Sequence, residues 1–525
     1  MNIKKLSSKI VIQITLIALL VIMVVNRGTL GSVDTTVRLQ MAHAWWTQTS
    51  EVDPNYQAKF RGDLSVGVTG VGGKRYLSYE PGQSILMLPG DWIGTQLHKL
   101  FPKVSSMDLR QTVISYLIFV PLNIAAVIAC FWLLKLMNFG EALAGLTTIT
   151  WLVCTTFLAY AQETQHNNQV LMFVVIGYAS ALAYIKHSYS RFALISGFAA
   201  SAALLIRASS IVHVLTIGLF FIGCCIYKNR NGSKFISHIS QLSTSIGLWI
   251  LGFLPLAIFG RIFDYVRYGS FLTTGQALSA QQFTTDPQWI GFPEFPANYP
   301  FINDASVGIL GVLFSPIKSI FIYDPLLIPC LVIGYVFWKQ LSFYIRAYLL
   351  VGILNLFLNI MLTSKLVFWG GDLSWGARYH VTSVHVLIIP LLALLIQETL
   401  LSKGFRRWIL RGIFAIALIV QIASVTMYHG LEISQSPLTK QDLAPEIYSS
   451  QFRLGQRFIN IGCYFNPSLS TQCVRDAIIL PFRNNPPLFV WIWRVMLVSA
   501  IASITWFIST TQPSQQSLVN NQDKS

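Results

Sequence analysis

The residues able to do chemistry sit at the ends of apolar runs rather than inside them. Asp34 follows directly on the first apolar run, in GSVDTTVRLQMAHAWW. A carboxylate there has two readings. It caps a helix and pairs with Arg38 one turn on, or it is a general base at a water–lipid boundary, where partial desolvation raises its proton affinity. A glycine-rich stretch, GGKRYLSYEPGQSILMLP, brings Lys74, Arg75, Tyr76, Tyr79 and Glu80 up to the next apolar segment. On the residues alone it reads as a loop anchored at the membrane surface by interfacial tyrosines. In YAQETQHNNQ, Glu163 and His166 are three residues apart and would share a helical face. A carboxylate and an imidazole suit a divalent metal, Mg or Mn, but also suit a polar turn between two helices. Arg207 interrupts the apolar ALLIRASSIVH. A charge at membrane depth is expensive, and a guanidinium suits a phosphate. LFSPIKSIFIYDPLLIP adds Lys318, Tyr323 and Asp324, and SKLVFWGGDLSWGARYH adds Lys365, Asp372, Arg378, Tyr379 and His380 between Trp369 and Trp375.

The elements that must position these groups are set by composition. Of 525 residues, 54% are hydrophobic and 11% charged, against roughly 25% charged in soluble domains. So much apolar surface has no place in a water-soluble protein of this size, and the chain reads as an all-α polytopic membrane protein. Apolar runs near 9–26, 110–136, 141–160, 168–186, 192–207, 209–227, 238–260, 319–338, 344–363, 380–398, 407–427 and 488–509 predict a bundle of about twelve spans. The run 83–99, broken by Pro89 and Gly90, reads as an interfacial helix, and 305–318 as re-entrant. Val33, Val37, Met41, Ala44 and Trp45 recur at helical spacing, which predicts an amphipathic helix on the membrane surface.

The formal charge of +16 implies no nucleic-acid partner, because the cations collect in alternate loops. Lys4, Lys5, Lys9, Lys186, Arg191, Lys228, Arg230, Lys339, Arg346, Lys403, Arg406 and Arg407 all fall on one side if the spans alternate. That side is cytoplasmic by the positive-inside bias, and both termini lie there. The lysines before the first run resemble a signal peptide, but no small-residue cleavage site follows, so the run reads as a retained helix. The chain divides into a membrane region over 1–427, with a long first extracytoplasmic loop over 27–109; a small extracytoplasmic segment over 428–487; and a last span with a polar cytoplasmic tail over 488–525. Five cysteines lie in apolar runs and read as inert. Cys463 and Cys473 lie in the extracytoplasmic segment, which permits a disulfide, and the sequence leaves open whether the two are joined.

The segments, taken in order, resemble the GT-C superfamily of integral-membrane glycosyltransferases. The resemblance is to its protein-mannosyltransferase and aminoarabinose-transferase-like branch. The matches are the acid after the first span (Asp34); GGKRYLSYEPGQSILMLP, like YxxxxPPG.SLL..P; YAQETQHNNQ followed by LLIRASS; FDYVRYGSFLTTGQ, like RFGS…TGY; LFSPIKSIFIYDPLL, like LFSPGRGLFVYSPLL; and FWGGDLSWGARYH, like WGGWSWGPRYL. They run in the same order from about residue 9 to 400. The chain departs from the pattern in Thr35 after Asp34, in Glu80 before a single proline, and in SPIKS and GAR for SPGRG and GPR.

The resemblance implies a transferase that moves a sugar from a polyprenyl-phosphate carrier to an extracytoplasmic lipid, glycan or protein acceptor, with inversion, the membrane lipids being its solvent. It implies Asp34 as the catalytic acid–base; Lys74, Arg75, Tyr79, Glu80, Arg207, Lys318, Arg378 and Tyr379 as donor- and acceptor-binding residues; and Glu163 and His166 at the place of metal-binding acids. The rival reading is a transporter or flippase of lipid-linked sugar. The one-sided placement of polar groups and the absence of an internal repeat weigh against it.

Overall fold

A computed structural model describes residues 8–52, 67–230, 235–285, 299–371, 373–428, 430–435, 452–466, 468–470, 473 and 487–511. Among them the chain is almost wholly helical. The single ladder is a two-residue antiparallel pairing, Val68 with Tyr76 and Thr69 with Arg75. Among the described residues, eight helices are long and apolar enough to cross a membrane. They coincide with eight of the twelve predicted runs. The other four runs contain shorter apolar helices, Lys9–Val25, Glu141–Cys154, Ser190–Ile206 and Leu327–Val336. The run 319–338 is not one helix. Ile320–Tyr323 ends at Asp324, and Leu327–Val336 begins beyond Pro325, which has no N–H to continue the ladder. The segment read as re-entrant is a ten-residue helix, Ala305–Phe314, followed by a turn.

The chain forms two compact units, one of residues 27–123 and 163–302, the other of 1–26, 124–162 and 303–525. In the first, helix Ser190–Ile206 is rich in small buried residues and packs on the long helix Phe235–Tyr268. The backbones meet. A Cβ on Gly197 would lie 2.0 Å from the Trp249 carbonyl oxygen, and one on Gly252 would lie 2.1 Å from that of Leu194. This is how helices associate in lipid, where burial of apolar surface gives no drive and close backbone packing must supply it.

Helix Val33–Thr47 also belongs to this unit, and it packs on more of its surface than a single apolar stripe predicts. It is buried on two flanks. Leu39 and Ala42 pack with Met87, Ile114 and Phe119, while Val37 and Met41 pack with Val52, Leu77 and Tyr79. Val33 is exposed and Arg38 buried, the reverse of what a one-sided apolar stripe requires. Beside it, Gly82–Leu100 is one continuous helix through Pro89. Its Asp91 is buried, paired with Arg110, and bonded to His43 Nδ1 at 2.9 Å and Trp46 Nε1 at 2.7 Å.

In the second unit, helix Val381–Leu401 is the core, buried along most of its length against Glu141–Cys154, Leu327–Val336 and Phe343–Thr363. The first helix, Ser8–Val25, packs on the last, Pro487–Thr510. Cys463 and Cys473, whose pairing the sequence leaves open, form a disulfide with Cα atoms 5.5 Å apart.

Candidate functional site

The first unit gathers Asp34, Arg38, Tyr79, Glu80 and Arg207 from three separate stretches of chain. The stretch 77–82 is held at both ends. The Leu77 N–H donates to Glu51 Oε2 at 3.0 Å, and the Tyr268 hydroxyl donates to the Leu77 carbonyl at 3.1 Å. Glu51 is itself paired with Arg267 and accepts from Trp45 Nε1 at 3.0 Å. Gly275 lies so close to this strand that a Cβ would come within 2.6 Å of the Ser78 carbonyl oxygen. At the other end, a Cβ on Gly82 would lie 2.7 Å from Ile206 N and the Leu205 carbonyl oxygen. Gly82 of GGKRYLSYEPGQS and Gly275 of FLTTGQ therefore mark close approach of backbones, and that approach delivers Tyr79 and Glu80.

Asp34 lies in the first turn of helix Val33–Thr47. Ser32 holds the N-cap position, so Asp34 is not the cap residue. Its carboxylate is half-buried, and Oδ1 accepts a hydrogen bond from the Tyr79 hydroxyl at 2.9 Å. Arg38 reaches back to the Asp34 carbonyl oxygen, Nη1 to O 3.5 Å, and its guanidinium lies 4.2 Å above the centre of the Tyr79 ring. That stacking places a cation, only 1% exposed, behind the phenol.

Glu80 is 7% exposed. Burial pushes its carboxyl above the ordinary range; the Arg38 and Arg207 guanidiniums and the Ala208 N–H pull the other way without overcoming burial. Burial favours the neutral form of this carboxyl, and in that form it can donate a hydrogen bond. Arg207 ends helix Ser190–Ile206 in an extended conformation, before the 3-10 turn Ala208–Ser210. Its N–H closes the last helical turn on the Ala203 carbonyl at 3.1 Å, and the chain leaves the helix there, at the point where Gly82 packs.

Glu163 and His166 are both buried in this unit. The segment between them is not helical, so the shared helical face expected of them does not form. The turn is stitched down through Thr164 instead. Its carbonyl accepts from Thr35 Oγ1 at 3.2 Å and Gln83 Nε2 at 3.0 Å, and its hydroxyl donates to the Leu30 carbonyl at 2.6 Å. Among the described residues no three His, Cys, Asp or Glu side chains converge to hold a metal ion. Lys74 is exposed at the turn of the small hairpin, and Arg75 is half-buried in its second strand.

Lys318, Arg378 and Tyr379 belong to the second unit. Lys318 is fully buried and donates from Nζ to the Ser374 carbonyl at 2.9 Å. The Arg378 guanidinium lies 5.1 Å from the Tyr379 ring centre, with Nη2 3.3 Å from the hydroxyl. Asp372 lies outside the described residues. The sequence reading missed this unit's largest charged network. Arg457 donates to both Glu432 oxygens and to the carbonyls of Ala423 (2.8 Å), Ser424 (3.2 Å) and Tyr428 (2.9 Å). Arg453 donates to the carbonyls of Ser374 (2.6 Å) and Leu373 (3.1 Å). Burial alone would raise the Glu432 carboxyl, but the Arg457 hydrogen bonds and the charges of Arg457 and Arg453 hold it below the ordinary range. The signal available was the spacing of Arg453 and Arg457, one helical turn apart.

No family model and no curated protein matches the chain. Among solved structures it is similar to ArnT from Cupriavidus metallidurans bound to undecaprenyl phosphate. The identity is 11% and the TM-score 0.44, over 86% of this chain and 76% of that one. It is also similar to the archaeal oligosaccharyltransferase AglB from Archaeoglobus fulgidus in complex with an inhibitory peptide and a dolichol-phosphate. There the identity is 12% and the TM-score 0.45, over 95% of this chain and 64% of that one, so the chain spans about two thirds of AglB's length. At this level of likeness, activity has to be argued from the residues themselves.

Proposed function

We propose that the protein is a membrane glycosyltransferase that moves a sugar from a polyprenyl-phosphate carrier to an acceptor on the non-cytoplasmic face. The observation that carries the proposal is the convergence of Asp34 with Tyr79, Glu80, Arg38 and Arg207, joining the acid after the first apolar helix to the loop that opens the next. Asp34 takes the proton from the acceptor as the acceptor's oxygen or nitrogen attacks the anomeric carbon. The bond from that carbon to the phosphate oxygen breaks, and the phosphate leaves with the electron pair, so the anomeric centre inverts. A polyprenyl phosphate is a good leaving group and needs little acid assistance, which lets a single carboxylate suffice. Arg207 stabilises charge developing on the phosphate, with Lys74 and Arg75 at the hairpin guiding the headgroup. Glu80, protonated, donates to a sugar or acceptor oxygen. Glu163 and His166 form no three-ligand group with other described side chains.

The test is transfer from a panel of radiolabelled polyprenyl-phosphate sugars by the full chain in lipid vesicles, wild type against Asp34→Asn. Turnover of one donor, falling by about 10²–10⁴-fold in the variant, is expected for loss of a general base. Equal turnover in both would remove Asp34 from the chemistry. No turnover of any donor, with carrier flux across the vesicle instead, would favour a flippase.

A further inference from the structure

The helix Arg453–Phe465 is inside out. On a soluble surface, an amphipathic helix turns its apolar side inward and its charges outward. Here Arg453, Arg457 and Asn460, spaced at i, i+4 and i+7, are buried. Phe452, Phe458, Ile459 and Phe465 are exposed, Phe465 at 80%. The apolar side is extended by the return of the chain. Leu469, itself exposed, packs so near Gly462 that a Cβ there would lie 2.6 Å from Leu469 Cδ2. The Cys463–Cys473 disulfide closes that return. The exposed apolar side is thus a built surface.

Its position says what covers it. Arg457 donates to the carbonyls of Ala423 and Ser424, in the last turn of helix Gly404–Thr426, and to that of Tyr428 just beyond. Gly404–Thr426 is one of the membrane-crossing helices, and it exposes Ile416, Ile419 and Ile422 along its own side. The guanidinium satisfies carbonyls that a helix end leaves without partners. It thereby seats Arg453–Phe465 at the depth where that span leaves the hydrocarbon. At this depth aromatic side chains favour the headgroup boundary.

We infer that Arg453–Phe465 is an interfacial helix whose Phe452–Phe458–Ile459–Phe465 side lies in the lipid leaflet at the C-terminal end of helix Gly404–Thr426. Its buried side reaches the loop of Trp375, because Arg453 holds the Leu373 and Ser374 carbonyls that Lys318 also grips at Ser374. The inference does not depend on the transferase reading.

The experiment places a photoreactive benzoylphenylalanine at Phe458 or Phe465 of the full chain in native membranes, irradiates, and identifies adducts by peptide mass spectrometry. Ile419 serves as the lipid-facing reference and Ser468 as a water-facing one. Phospholipid adducts at both positions, in yields comparable with Ile419 and well above Ser468, are expected. Adducts to a second copy, to another protein or to this chain's own peptides would overturn the inference. So would the absence of lipid adducts at both positions while Ile419 gives them.

Discussion

Tyr79→Phe is the most discriminating change in the candidate site. It deletes one oxygen and leaves the ring. The ring keeps its place with Val37, Met41, Val52 and Leu77, and the Arg38 guanidinium stays 4.2 Å above it. What is lost is the donation from the hydroxyl to Asp34 Oδ1 at 2.9 Å. A hydrogen bond to a charged group is worth about 1.5–3 kcal/mol. If all of that orients the carboxylate toward the acceptor proton, the rate falls between about tenfold and about 150-fold. Asp34 is half-buried, so water replaces part of the lost bond, and a loss of about tenfold in kcat is expected. The Michaelis constant for the donor should move little, because the phenol touches the base and not the carrier phosphate. Unfolding stability should drop by about 0.5–1.5 kcal/mol, the net worth of an ordinary hydrogen bond. The assay is initial-rate sugar transfer in lipid vesicles at saturating and limiting donor, beside Asp34→Asn. Unchanged kcat in Tyr79→Phe, or a change confined to the Michaelis constant, would refute the assignment of Tyr79 as the positioning residue for Asp34.

Glu80→Gln removes the charge at constant shape. Glu80's pKa in the fold is raised above its ordinary 4.5, so its contribution to stability is whole below pH 4.5 and is lost as pH rises through the raised value. Thermal unfolding across that window should show a decline in the wild type that Glu80→Gln flattens; an identical pH dependence would count against the buried, protonated acid. Gly82→Ala drives a methyl to 2.7 Å from the backbone at Leu205 and Ile206. It should cost about 1–3 kcal/mol in unfolding and slow transfer by shifting Glu80 away from Arg207, whereas Gln83→Ala at the next position creates no such clash. Arg457→Met leaves buried Glu432 with Arg453, 3.5 Å away, and the Asn460 amide at 3.3 Å. The loss should be about 3–5 kcal/mol, read as faster hydrogen exchange over 453–465 and faster reduction of Cys463–Cys473.

Hydropathy made the membrane helices legible, since lipid forbids unsatisfied backbone and demands long apolar runs. It could not show that 319–338 is broken, because Asp324 is held by Thr156, at 2.8 Å to the N–H and 2.7 Å to the hydroxyl, a partner far away in sequence. The pairing of Asp34 with the 72–89 loop was legible as a list of groups but not as geometry. The geometry depends on Gly82, Gly275 and the Glu51–Arg267 pair, whose roles exist only once the backbones meet. Helix Val33–Thr47 was half legible for a related reason. Its residues at 37, 41 and 44 mark one apolar side, but Leu39 and Ala42 on the other flank are too few to register as a second stripe.

The two acids of the site stand in opposite environments, and that division supports separate roles. Asp34 is half-buried and accepts from a phenol, an arrangement that suits a carboxylate ready to take a proton. Glu80 is almost wholly buried, and burial outweighs the two arginines that face it. Acids of one chemistry are given different tasks by desolvation and neighbours. Glu80 as the base would need its charge restored at a place where burial disfavours it. Asp34 as a neutral donor would set a phenol O–H against a carboxylic acid already able to donate. The assignment with Asp34 accepting the proton and Glu80 holding one leaves both acids in the state their surroundings favour, and Arg207 then remains for the phosphate.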